Sequence, residues 1–172
     1  MPPPHQRGQT PVTQQQRGSD PRYIRAVARW AEIEREVPEL ATRARGFLEA
    51  HTHRTIATLR KDGSPRISGI ECEFVDGDLR FGSMWHGVKA LDLLRDPRFA
   101  LHSGSVDPPE WPGDAKVAGT AVAADAQTEA LGRYHLFTAD VTEVVVVSLN
   151  EARDKLIIQT WHEGRGESRI ER

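Results

Sequence analysis

At 172 residues the chain has room for one domain with an ordinary core. A formal net charge of −2, with 28% charged residues, gives no basis for non-specific attraction to nucleic acid or to an anionic membrane. One cysteine, Cys72, excludes an intramolecular disulfide and any multi-cysteine zinc site, and without an apolar run of about 18 residues or a hydrophobic leader the chain reads as soluble and cytoplasmic.

Residues 1–20 hold five Gln, four Pro and two Gly with almost nothing apolar, which predicts a disordered arm. Asp20-Pro21 reads as a helix start, and Ile24, Val27, Ala28 and Ala31 recur at helical spacing up to Pro38. A second helix is expected from Glu39 to Ala50 with Leu40, Ala44, Phe47 and Leu48 inward. From Arg54 the period becomes that of strands. Thr55–Leu59 is β-branched, Asp62-Gly63 marks a hairpin, and the run Arg66–Val75 sets Ile70, Cys72 and Phe74 against Glu71 and Glu73. Asp76-Gly77 marks a second hairpin before the strand Leu79–Gly82, so three strands form a meander.

Gly87–Arg95 is helical, with Val88, Leu91 and Leu94 on one face and Asp96-Pro97 as its stop. Phe99–Leu101 resumes a strand, and residues 104–114 form a loop rich in proline and glycine. Val117–Ala124 is a strand whose Gly119 marks a bend or a close ligand approach. A short helix is expected over Thr128–Leu136, then strands over Val141–Leu149 and Lys155–Trp161. Six to seven largely hairpin-connected strands predict a mainly β fold, a closed or half-closed antiparallel barrel with peripheral helices. The expected layout is an arm over 1–20 and one domain over 21–172, with a helical lead-in over 21–50 and the barrel over 54–162.

The segment RTIATLRKDGSPRISGIECEFVDGDLRFGS, followed by KALDLLRDPRFAL, resembles the FMN-binding split β-barrel of pyridoxamine 5′-phosphate oxidase-like proteins over roughly fifty residues. The shared theme is an Ala-Thr strand, an Asp-Gly-x-Pro-Arg turn, an Asp-Gly-x-Leu-x-Phe strand, and a Lys-bearing helix ending in Arg-Asp-Pro-Arg. The resemblance implies a homodimer with cofactor sites at the subunit interface. The cofactor it implies is FMN or the deazaflavin coenzyme F-420, while a minority of relatives bind haem or have lost catalysis. It further implies that Arg66, Ile67 and Ser68 lie along the ring and ribityl chain. Gly82, Ser83, Met84 and Lys89 would approach the phosphate, and Trp161 would sit near the ring.

The residues make chemical sense of that site. A phosphate dianion calls for a cation, a hydroxyl and helix N-terminal amides, which Lys89, Ser83 and the Gly87 turn offer within seven residues. Gly69 and Gly82 leave a ring slot free of side chains, and hydride transfer is the cofactor's own chemistry, so no dedicated acid or base is expected. Ser83 serves equally as a helix cap. Asp92 departs from the relatives' pattern, which often has an amide three positions after the helix lysine; a negative charge there weakens anion binding unless it faces away.

Other residues admit plainer readings. His51 and His53 lie two apart, but nothing completes a metal set, so no metal site is expected, and a single histidine is weak ground for haem. Cys72 reads as a small buried hydrophobe. Arg43, Arg45 and the arginine-bearing N-terminal region are candidates for the acidic tail of F-420, whereas Arg165, Arg169 and Arg172 read as solvated. Trp111 in the 104–114 loop is the candidate substrate wall. Three functions compete: an oxidoreductase acting on a small organic substrate, a non-catalytic flavin or haem binder, and, last, a true pyridoxamine 5′-phosphate oxidase, whose C-terminal substrate-binding extension is not evident after Trp161.

Overall fold

The computed structural model describes residues 29–124, 127–129 and 132–172. The arm over 1–20 and the helix start at Asp20-Pro21 lie outside the described residues. The lead-in contains α1 (Trp30–Glu36) and α2 (Pro38–Glu49). Pro38 separates them: a residue before proline is pushed out of the helical region, and Val37 adopts φ −136°, ψ 65°, while Pro38 itself opens α2. Trp30 and Ile33 are the buried positions of α1; Leu40, Ala44 and Leu48 form the inward stripe of α2, with Phe47 half-buried beside them.

The meander follows as β1 (Arg54–Leu59), β2 (Pro65–Ile70), β3 (Cys72–Val75) and β4 (Asp78–Met84). The expected single run Arg66–Val75 is two strands, because the chain turns at Glu71 from pairing with β1 to pairing with β4. Asp76 and Gly77 both have positive φ (54° and 80°), the two-residue hairpin geometry whose twist matches the flanking strands. That turn also docks α1. The Ala31 amide donates to the Gly77 carbonyl at 2.9 Å, and the Arg29 guanidinium forks onto Asp78 at 2.7 and 3.2 Å.

Next come α3 (Val88–Arg95), β5 (Arg98–His102), β6 (Asp114–Ala123), β7 (Gln127–Glu129), β8 (Gly132–Leu149), β9 (Leu156–His162) and β10 (Gly166–Glu171). The sheet runs β10-β9-β8-β6-β5-β1-β2, with β4 against the first part of β8. Because β2 continues into β3, and β3 pairs β4, the sheet closes into a barrel. The pair β9–β10 extends from the later half of β8 as a wing. Phe81 packs against Phe99 and Phe137 inside the barrel, with ring centroids 5.1 and 5.9 Å apart.

Two expectations are corrected. The described residues of the expected helix, 128–129 and 132–136, are not helical: they belong to β7 and the start of β8, where Ser83 pairs with His135 and Met84 with Tyr134. Helix formers such as Glu129, Ala130 and Leu131 favoured the other reading, and partners on two strands override such local propensity. The described residues form ten strands rather than six or seven. The unforeseen β10 is an exposed edge strand of mostly polar residues with no apolar alternation to announce it. Gly119 does mark a close approach, but of backbone: a Cβ there would lie 2.0 Å from the Asp140 carbonyl oxygen, at a register shift between β6 and β8.

Gly77 tests the docking of α1. A Cβ at this position would stand 2.9 Å from that of Ala31. Gly77→Val is expected to lower the unfolding free energy by about 3 kcal/mol, from left-handed strain plus overpacking. Gly63→Val, at φ 82° with no neighbouring atom within 4 Å, bears the strain alone and should lose about half as much in urea denaturation.

Candidate functional site

The barrel closure leaves a groove of about 930 Å³ along β3, β4 and the ends of α2 and α3. Four cations line it, Arg54, Arg80, Lys89 and Arg133, against three carboxylates, Glu49, Glu71 and Glu73. Its apolar wall is Ile70, Cys72, Phe81, Met84 and Leu136, with Tyr134 beside them.

One end of the groove is built by the turn from β4 into α3. Gly87 allows that turn, since a Cβ there would fall 2.5 Å from the Ser83 hydroxyl and 3.0 Å from the Met84 carbonyl oxygen. Ser83 is buried, and its hydroxyl donates only a long 3.5 Å bond to the Met84 carbonyl. It does not cap α3, whose N-terminus at Gly87 has no side-chain cap. Lys89, in the first turn of α3, donates from Nζ to the Gly69 carbonyl of β2. Burial lowers its pKa, and the Glu71 carboxylate acts in the opposite direction.

Gly82, Ser83, Met84 and Lys89 therefore share one groove wall, as does Gly69. Arg66, Ile67, Ser68 and Trp161 do not line it. Ile67 is 75% exposed on the outer face of β2. Trp161 is 2% exposed on β9, paired to Val144 and Glu167, and its indole Nε1 is buried without a hydrogen-bond partner among the described residues. Arg66 donates from Nε to Asp92 at 2.6 Å.

Asp92 faces away from the groove and into the barrel end. Its side chain is 4% exposed and accepts three bonds: from Arg66, from Arg95 at 3.0 Å and from Thr58 at 3.1 Å. Burial pushes its carboxyl up, but the bonds from Arg66, Arg95 and Thr58 outweigh burial and hold its pKa below the ordinary value.

Several further residues are placed by the fold. Arg54, Arg80 and Arg133 enter the groove without having been singled out in the sequence; the alternation of β4, which also places Gly82, was the available signal for Arg80. The Arg133 guanidinium lies 3.8 Å over the Trp85 ring, and Trp85 stacks on His135 with centroids 4.4 Å apart. Arg43 is committed to Gln159 and Ser148, and Arg45 to Glu34 and Glu49. The 104–114 loop does not reach the groove. It is tied by Arg153 to the Pro109 carbonyl at 2.6 Å, and Trp111 is half-buried away from the groove wall. Among the described residues no three His, Cys, Asp or Glu are grouped as metal ligands.

Cys72 lies on the groove wall, yet burial pushes its thiol up to about 11. The thiolate is the reactive form, so modification by a disulfide reagent at pH 8 is expected to run at least about a hundredfold slower in the native protein than in urea. Comparable rates would show that the β3 segment opens readily.

No family model matches the sequence, and no curated protein matches it. Solved structures do. A pyridoxamine 5′-phosphate oxidase-related, FMN-binding protein from Nostoc punctiforme superposes with a TM-score of 0.55 at 12% identity, covering 81% of this chain and 96% of that one. PhzG from Burkholderia lata, in complex with tetrahydrophenazine-1-carboxylic acid, gives 0.56 at 11% identity over 78% and 88%. No helix among the described residues is long and apolar enough to cross a membrane. The ordered motifs between Arg54 and Ser103, the closed antiparallel sheet and these superpositions agree: the chain has the fold of the pyridoxamine 5′-phosphate oxidase-like proteins.

Proposed function

We propose that the protein is an oxidoreductase that holds a flavin-type cofactor, FMN before coenzyme F-420, in the groove between β2, β4 and α3. The supporting observation is the meeting of Lys89, the Ser83 hydroxyl and the side-chain-free N-terminus of α3 at one end of that groove. This donor set suits a phosphate. Beside it the described residues leave space for a ring: a Cβ on Gly69 would meet none of them within 4 Å, and one on Gly82 only ordinary contacts. When bound, the cofactor would supply hydride transfer to or from a small organic molecule. The chain's own part is to fix the phosphate, shape the slot with Phe81, Leu136 and Met84, and exclude water. FMN comes first because Arg43 and Arg45, two of the candidates for a polyanionic tail, are committed to internal partners, while the third, the N-terminal region, lies outside the described residues.

A second copy of the chain is the proposed partner. Ile67, Met84 (82% exposed) and Val88 present apolar side chains to solvent, from β2, the end of β4 and the start of α3, and Met84 also lines the groove. Covering them with an equivalent surface would bury the cofactor and form an isologous interface.

Absorption spectra and fluorescence titration with FMN and with F-420 test the cofactor. FMN is expected to bind, Lys89→Ala to weaken it at least about tenfold, the effect of one charge-assisted bond, and Gly69→Phe to abolish binding without loss of fold. A Soret band, or binding of neither ligand, would overturn the reading, and a bound FMN that no donor reduces would reassign the protein to the non-catalytic binders. Light scattering tests the partner: the wild type should have twice the 19.2 kDa chain mass, and Ile67→Asp should return it to the monomer with loss of cofactor.

A further inference from the structure

The placement of Asp92 bears on how the groove recognises an anion. Asp92 and Lys89 are three residues apart on α3, about 4.5 Å along the helix, on neighbouring positions of one face. Arg66 and Gly69 are likewise three residues apart on β2, about 10 Å, and Lys89 touches the Gly69 carbonyl. Both Lys89 and Arg66 thus bridge the same helix to the same strand. Lys89 reaches the groove wall; Arg66 does not. The difference lies in their partners. Lys89 bonds a neutral carbonyl and feels a carboxylate, Glu71, only through space, whereas Arg66, 23% exposed at its side chain, meets a buried carboxylate at 2.6 Å.

We propose that Asp92 is a specificity-determining residue of the groove: it binds Arg66 and withholds that second cation, so that an anionic ligand group is gripped through Lys89 and not through both. The proposal rests on the flavin reading above and concerns the phosphate share of binding. An acidic residue in this place makes the site less demanding of a dianion than a paired Lys–Arg site, in which both cations would be free to bond phosphate oxygens. Thr58 and Arg95 complete the device. Together with Arg66 they satisfy both oxygens of the carboxylate, which keeps it ionised and turned from the groove instead of repelling the ligand directly.

FMN and riboflavin share a ring and differ by the phosphate, so the ratio of their dissociation constants isolates the phosphate share from slot shape and from general stability. Asp92→Asn keeps the side-chain shape and one oxygen acceptor but removes the charge that holds Arg66, which shares the Oδ2 acceptor with Thr58; the FMN preference over riboflavin is expected to rise about tenfold, the worth of one added charge-assisted bond. The gain should vanish in the double variant Asp92→Asn/Arg66→Gln, which an indirect structural effect of Asp92 would not produce. Arg66→Gln alone should reduce the preference by no more than about threefold, the level of a long-range charge effect. This arm stands even where Asp92→Asn fails to fold. A tenfold or larger loss in Arg66→Gln would show that Arg66 already grips the phosphate, and would overturn the proposal with the flavin reading intact. An unchanged or lower preference in folded Asp92→Asn would do the same. Failure of both FMN and riboflavin to bind the wild type would overturn the flavin reading and this inference together.

Discussion

The architecture depends on hydrogen bonding along both edges of β8. Over 18 residues this strand pairs first with β4 on one edge and with β7 and β6 on the other, then keeps β6 while exchanging β4 for β9. A strand that changes neighbours along its length must bend, and the bend is accommodated at the shift between Ala118 and Gly119 of β6. There the β8 backbone comes so close that only glycine fits. Without that exchange the barrel and its β9–β10 wing could not belong to one sheet. Through His135 and Leu136, the same strand supplies the neighbours of Ser83 and Gly82 that hold one wall of the groove.

The α3 helix is the second organising element, and its charges have divided roles. Its C-terminal half is an ion network turned inward, with Asp92 bonded by Arg66 and Arg95 under cover of the barrel end. Its N-terminal turn is left for the groove, with Lys89 on a backbone carbonyl and no side chain capping Gly87. A buried carboxylate persists as an anion only where donors outweigh the loss of hydration, and three are present. A satisfied inner network thus contrasts with an outer turn that no side chain of the described residues caps.

The groove carries both signs of charge, four cations against three carboxylates, so it does not act as a general anion trap. The charges are divided along it: Lys89 stands at the α3 end, and Glu49 and Arg54 at the α2 end. Buried Arg54 donates to the Leu48 and Thr52 carbonyls at 2.5 and 2.7 Å, which anchors the α2–β1 connection that shapes that far end. A charge held so firmly serves the shape of the groove more than the capture of a mobile ligand.

Local chemistry in the sequence sufficed for the elements whose neighbours are near in the chain. Asp76-Gly77 names its hairpin because few residues accept two consecutive positive φ angles, Pro38 divides the lead-in helices, and the alternation of Ile70, Cys72 and Phe74 with Glu71 and Glu73 assigns the inner face of β3. In the same way the short span from Gly82 to Lys89 placed four of the eight candidate residues on one wall. Tertiary structure decided what depends on distant partners. Residues 132–136 are strand because β7 and β4 lie beside them, Arg66 turns from the groove because Asp92 is 26 positions away and buried, and Trp161 lies between β8 and β10 instead of on the groove wall. The trapping of Arg43 and Arg45 by partners on other elements was equally invisible. The physical reason is common to all of these. A turn or a capping proline is governed by the sterics of two or three residues, whereas a cation's availability is governed by whichever acceptor the closed barrel brings within about 3 Å of it.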